Sequence, residues 1–194
     1  MQPEVIQMPY KSAIIGLGAN LRSALGSPTK SLSAALNMIQ KKDTVIQTVS
    51  RFYSTPCFPA GTGPDYVNAT MILDTTLSAP DLLSRLHEVE DLIGRKRIYR
   101  WGERVIDLDL LSYEDEISPN LAVFKHWQSL PLDQQKKEAP QQLILPHPRI
   151  QDRAFVLVPL AEIAPDWIHP VFKRSTNELL AELDLEDVNQ VIAI

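Results

Sequence analysis

Arg100-Trp101-Gly102-Glu103-Arg104-Val105-Ile106-Asp107-Leu108-Asp109-Leu110-Leu111 is the stretch that organises this chain. Its second half alternates, with Ile106, Leu108 and Leu110 on one side and Asp107 and Asp109 on the other. Residues two apart on a strand share a face, so both carboxylates stand side by side over an apolar floor. Like charges that close hold each other partly protonated unless a cation lies between them. An oxygen-only pair without a His or Cys cluster suits Mg²⁺, which completes its shell with water and substrate phosphates. Directly upstream are Arg95, Lys96, Arg97, Arg100 and Arg104, enough positive charge to meet a polyphosphate. Metal-binding acids beside phosphate-reading arginines point to phosphoryl chemistry. The Asp-x-Asp alone would be read as the solvent face of an amphipathic strand.

Working outward, the 194 residues fit one domain (1–194) with room for a real core. A formal charge of −5 argues against a general nucleic-acid coat, so the arginine cluster is local. The single cysteine, Cys57, excludes an internal disulfide and a cysteine-based zinc site, and reads as a small packed side chain. No apolar run approaches the roughly 20 residues that span a bilayer. Residues 1–11 lack the pattern of a signal peptide and read as an N-terminal extension. The expected location is the cytoplasm, with no membrane partner and no nucleic acid.

Ser12–Gly18 is a short apolar run bounded by glycine, the mark of a buried strand. The Gly16-x-Gly18 pair fails the dinucleotide fingerprint because position 21 is leucine. Ser27-Pro28 reads as an N-cap and a first-turn proline, with Leu32, Leu36 and Ile39 following at helical spacing over 28–41. Val45–Tyr53 is β-branched and aromatic, a second strand. The proline- and glycine-rich run 54–64 is a loop. In Tyr66–Asp74, Val67, Ala69, Met71 and Leu73 form an apolar face, while Tyr66, Asn68 and Thr70 face the other way. Asn68 offers a donor and an acceptor together. Ser78-Ala79-Pro80-Asp81 has the shape of a capping box. Leu82, Leu86, Val89 and Ile93 follow at helical spacing, and Gly94 is a stop. His87 and Glu90 fall on a stripe beside that core face, either a solvated flank or a ligand-facing pair. Glu114–Gln142 is long and polar, a surface excursion in which Phe124 and Trp127 signal a packed short helix. Ser175–Leu183 is a last short helix, and the tail to Ile194 carries no motif.

Arg-Trp-Gly-Glu-Arg-x-x-Asp-Leu-Asp (100–109) resembles the signature of the 6-hydroxymethyl-7,8-dihydropterin pyrophosphokinase family, with Glu103 at its usual proline. Further motifs agree in order: a strand entering Gly18-Ala19-Asn20-Leu21, then Tyr53-x-Thr55-Pro56, then Asp65-Tyr66-x-Asn68. They are followed by Pro146-His147-Pro148-Arg149 and by Arg153-x-Phe155-Val-Leu-x-Pro159-Leu-x-Glu162-Ile-Ala-Pro165. The resemblance covers about residues 13–165 apart from the 114–142 insertion. It implies an α+β fold, a ferredoxin-like antiparallel sheet with helices packed on it in an α-β-α sandwich. It implies a monomeric, Mg²⁺-dependent enzyme that moves pyrophosphate from ATP to the pterin's hydroxymethyl group and releases AMP.

By the same resemblance, Asp107 and Asp109 hold two Mg²⁺ ions, and either is a candidate base for the pterin hydroxyl. Arg95, Arg97 and Arg104 serve catalysis from a loop that closes over ATP. His87, Glu90, Arg97, Arg104, His147 and Arg153 contact the nucleotide, His87 at a position commonly glutamine. Thr55, Pro56, Phe58, Tyr66 and Asn68 form the pterin segment, and Trp101 and Phe155 sandwich the ring. The same element order also builds RNA-binding modules, which display aromatics on the central strand where this chain has two acids. A diverged paralogue that binds pterin and nucleotide but reacts poorly is the other alternative.

Overall fold

The computed structural model describes residues 9–57, 61, 63–95, 105–131, 134, 138 and 140–194. The central strand β1 (Lys11–Ala19) pairs antiparallel with β4 (Tyr66–Thr75) on one side and β5 (Asp107–Tyr113) on the other. β2 (Thr44–Val49) and β3 (Tyr53–Thr55) both pair with β4, one beyond the other along it. A two-residue β6 (Ile192–Ala193) joins the outer edge of β3. Neighbouring strands are antiparallel throughout this six-stranded sheet.

Helices cover both faces. Helix α1 (Pro28–Ile39) starts where the Ser27 hydroxyl accepts the Lys30 N–H, with Pro28 in the first turn. Helix α2 (Ala79–Ile93) starts at Ser78, whose hydroxyl accepts the Asp81 N–H and donates to its carboxylate at 2.5 Å. It stops at Gly94, whose φ of +100° is left-handed backbone that glycine adopts without strain. These two helices seal the larger core with Ala13, Ile15, Leu17, Met71, Leu73, Ile106, Leu108 and Leu110. On the opposite face, Ile14 and Leu111 pack against Val156, Leu157 and Leu160 of α4 (Ala154–Ile163) and Leu179 of α5 (Thr176–Leu180). Helix α3 (Leu121–Ser129) lies within the 114–142 segment, and α6 (Leu185–Asn189) precedes β6. The layering is the expected α-β-α sandwich. Among the described residues, no helix is long and apolar enough to cross a membrane.

One expectation is corrected. The strand read over Val45–Tyr53 is two strands, because at Ser50 a side chain takes over the ladder. The Thr70 N–H donates to Ser50 Oγ at 3.0 Å, while the Ser50 N–H donates to the Thr70 carbonyl at 2.9 Å. Pairing moves from Val49–Met71 to Tyr53–Asn68, four steps along one segment (49 to 53) against three on β4 (71 to 68). A one-residue slip exchanges faces. Tyr53 therefore turns toward α4, where its hydroxyl donates to Glu162 Oε2 at 2.7 Å, and strand pairing continues through Ser54 and Thr55 into what reads as loop. The tail is also structured, since β6 needs only backbone pairing to Tyr53 and Ser54, which no side-chain pattern announces.

Candidate active site

The site lies on the sheet face that α4 only partly covers. Register places Asp107 opposite Gly18 and Gly18 opposite Asn68, and Asp109 opposite Gly16 and Gly16 opposite Thr70. Asp107 and Asp109 thus occupy one side of a trough whose floor is glycine, and Asn68 stands on the other side. A Cβ at position 18 would lie 3.2 Å from Asn68 Oδ1 and 3.9 Å from Asp107 Cβ. One at position 16 would meet Leu111 Cδ1 at 3.3 Å. Close approach, not backbone angle, is what favours glycine here.

At the Asn68 end the amide is buried and donates from Nδ2 to Thr55 Oγ1 at 2.7 Å. A primary amide keeps a second N–H, so Asn68 and Thr55 form one fixed donor–acceptor unit. Cys57, just past Thr55, donates to the Gly63 carbonyl at 3.1 Å and accepts the Gly63 N–H at 3.2 Å, closing the base of the following loop. Asn20 Nδ2 donates to the Pro64 carbonyl at 3.2 Å and ties the same loop to β1. Pro56 is exposed and Tyr66 half-buried at its borders.

At the acidic end, Arg95 follows the Gly94 stop and turns back over α2. Its guanidinium pairs with Glu90 and lies 2.9 Å from Asp107 Oδ1. Glu90 is wholly buried and also accepts the Leu108 N–H at 2.7 Å. It is not a solvated flank: it braces both the arginine and the strand between the two acids. His87, one turn earlier, is half-buried on α2.

The Pro146–Arg153 segment closes the other side. Arg153 Nη1 stands 4.0 Å from Asp109 Oδ2, and its guanidinium lies over the ring of Phe155, 5.6 Å from the centroid. Phe155, in the first turn of α4, is 40% exposed, available to a second flat ring. Burial lowers the Arg153 pKa, opposed by Asp109 and Asp107, yet a guanidinium stays charged at any working pH. His147 donates its backbone N–H to the Leu111 carbonyl at 2.7 Å, and its Nδ1 accepts the Arg149 N–H at 3.1 Å. Burial, reinforced by Arg153 and Arg149 against the pull of Asp107, lowers its pKa to about 3. With Nδ1 accepting a hydrogen bond, its neutral form carries the proton on Nε2 and can donate it.

A cavity of about 430 Å³ lies beside Asp109 and Arg153, lined also by Leu83, Leu110 and Ile144 and by Trp127, Gln141 and Gln142 of the 114–142 segment. Sequence reasoning missed Leu83, the Trp127 wall and Arg149, whose guanidinium donates to the Gln128 carbonyl at 3.0 Å. Phe58, Arg97, Trp101 and Arg104 lie outside the described residues. Among the described residues no three His, Cys, Asp or Glu side chains converge as a metal cage. Two oxygen donors beside an open cavity still fit Mg²⁺, which takes one or two carboxylates plus water and phosphate oxygens.

Comparison with known proteins agrees with this geometry. Residues 14–165 match the family model described as 7,8-dihydro-6-hydroxymethylpterin-pyrophosphokinase. A Haemophilus influenzae protein named 2-amino-4-hydroxy-6-hydroxymethyldihydropteridine pyrophosphokinase is 38% identical, over 82% of this chain and 85% of its own. A Synechocystis protein of the same name is 34% identical, over 89% and 76%. Among solved structures, wild-type Plasmodium falciparum HPPK-DHPS superposes with a TM-score of 0.63 at 15% identity. That match covers 91% of this chain but 45% of the plasmodial one, and shows the fold alone. By the family match and the identity across most of both curated relatives, the chain belongs to the 7,8-dihydro-6-hydroxymethylpterin-pyrophosphokinase family.

Proposed function

We propose that this chain transfers the β,γ-pyrophosphoryl unit of ATP to the hydroxymethyl oxygen of 6-hydroxymethyl-7,8-dihydropterin, releasing AMP. The observation that carries this reading is the row Asp107–Gly18–Asn68 across three strands. It joins a charge-handling end to an amide-reading end with no side chain between. Two interstrand spacings separate the ends, roughly 10 Å, the scale of a bicyclic ring with a hydroxymethyl arm.

Asp107 and Asp109 would hold two Mg²⁺ ions, which supply charge neutralisation along the triphosphate. The chain's own groups do the rest. Arg95, braced by Glu90, and Arg153, beside Asp109, meet charge that develops on phosphate oxygens. His147 adds a neutral donor. Asn68 and Thr55 hold the pterin edge so its hydroxyl is aimed along the trough toward the carboxylates. Phe155 presents a ring face, and by family resemblance Trp101 would take the opposite face, Phe58 the wall, and Arg97 and Arg104 the phosphates. Pro56 and Tyr66 border the pterin end, and His87 and Glu90 flank the nucleotide end. The unit proposed is a single domain over 1–194 with an extension at 1–11 and an insertion at 114–142, acting as a cytoplasmic monomer.

AMP release from ATP and Mg²⁺, with and without the pterin and with an EDTA control, tests this. AMP that needs both pterin and metal is expected. Saturable pterin binding without AMP would replace the reading with a diverged binder, and neither signal would overturn it.

A further inference from the structure

The insertion is not a loose excursion from the fold; three contacts fix helix α3. Ser118 pairs with Leu145 through two backbone hydrogen bonds of 2.9 and 3.0 Å. Phe124 is fully buried, its ring 6.0 Å from His169 and 6.1 Å from Phe172. Arg149 spans from Asp152, at 2.9 Å, to the Gln128 carbonyl at the end of α3. The last of these binds the helix to the same loop that carries His147. Phe124 already supplies the helix's apolar anchor, so Trp127, one turn later, is not needed for that purpose.

Trp127 instead is half-buried and forms one wall of the 430 Å³ cavity that begins at Asp109 and Arg153. The same cavity is lined by the aliphatic residues Leu83, Leu110 and Ile144, and among its described lining residues Trp127 is the one aromatic besides His147. The lining thus combines an acid and guanidinium groups suited to metal-bound phosphates with aliphatic walls and one flat indole, beside which stand Glu138, Gln141 and Gln142. A nucleoside triphosphate likewise carries both a planar base and an anionic tail, and the volume lies in the range of ligand pockets.

We infer that Trp127 is a nucleobase-stacking residue, through which the insertion sets affinity and base preference for the nucleotide. The inference rests on the pyrophosphokinase reading and deepens it. A π-face stacks on any base, but stacking is worth more on a larger ring system, so a purine is favoured over a pyrimidine. Gln141 and Gln142, on the returning segment of the insertion, also line the cavity, and their amides can pair with a base edge.

The test compares wild type with Trp127→Leu, which keeps apolar volume, and Trp127→Phe, which keeps a ring. Loss of the indole face should raise KM for ATP about tenfold or more in the Leu variant, with kcat within threefold of wild type. The Phe variant should recover most of that loss. Inhibition by Mg²⁺-tripolyphosphate, which has no base, should be unchanged in both. Titration with α,β-methylene-ATP should quench tryptophan fluorescence in wild type and quench it far less in Trp127→Phe, while calorimetry still records binding. Equal weakening of ATP and tripolyphosphate in Trp127→Leu would mean a structural role and overturn the inference. So would wild-type affinity for ATP in that variant. Failure of wild type itself to bind α,β-methylene-ATP would overturn the pyrophosphokinase reading, and this inference with it.

Discussion

Glu90, with none of its surface exposed, accepts the backbone N–H of Leu108 at 2.7 Å, the residue that separates the two site carboxylates. The same side chain pairs with Arg95, which in turn reaches Asp107. One buried acid on a helix thus sets the height of the acidic strand and the aim of the arginine above it.

Replacing Glu90 separates those duties. Glu90→Ala leaves the Leu108 N–H without its acceptor and Arg95 without its brace, at a cost of about 3 kcal/mol. Glu90→Gln keeps the acceptor and should lose less stability, yet turnover should fall in both because Arg95 is no longer held. Urea midpoints beside AMP-release rates check this; an alanine variant as stable as wild type would refute the bracing role.

Asp109 and Asp107 should matter for turnover far more than for pterin binding. Asp109→Ala is expected to slow AMP release at least about a hundredfold. Pterin affinity should stay close to that of wild type, because Asn68 and Thr55 lie at the other end of the trough. Near-normal turnover in that variant would remove the metal assignment.

Gly18→Ala tests the floor. The added methyl would stand 3.2 Å from Asn68 Oδ1, so the amide must yield by a few tenths of an ångström. The variant should fold, with KM for the pterin raised several-fold and KM for ATP changed less. An unchanged pterin KM would show that Asn68 does not read the pterin.

Acid should destabilise the fold in a defined window through His169. Its Nδ1 accepts the N–H groups of Val171 and Phe172 at 3.1 and 3.3 Å, its buried Nε2 has no hydrogen-bond partner among the described residues, and burial lowers its pKa to about 4. The unfolded chain protonates at about 6.5, so protons favour unfolding between these values. Stability is full above pH 6.5 and declines by roughly 3 kcal/mol toward pH 4, at 1.36 kcal/mol per unit. His169→Asn keeps an acceptor for the two N–H groups but does not titrate there. It should be less stable at pH 8, where the ring is missed, yet show a flatter fall in Tm between pH 6.5 and 4. A residual slope should remain from His147, lowered to about 3. An equally steep fall in the variant would rule out His169 as the titrating group.

Much of the site was readable where it depends on period. Asp107 and Asp109 share a face because residues two apart on a strand must, and Asn68 faces the trough because Val67, Ala69, Met71 and Leu73 claim the other side. Ser27, Ser78 and Gly94 mark helix ends by local hydrogen bonding and backbone freedom. Glu90 was not readable in the same way. Helical spacing put it beside the core stripe, but only packing brings the Leu108 N–H against it. Tyr53 faces the side opposite Val49, because a serine hydroxyl at position 50 replaces a backbone carbonyl in the ladder and shifts the register by one.

The chain by itself therefore determined which residue types alternate, which helices start and stop where, and which acids, arginines and amides are available for chemistry. Those features follow from interactions within a few residues, whose geometry the backbone period sets. The tertiary structure alone decided that a buried glutamate braces the acidic strand, that two glycines floor a trough between carboxylates and amide, and that helix α3 brings Trp127 to the cavity wall. Each of these joins residues distant in sequence. The burial of one partner is supplied by the other, which no local pattern encodes.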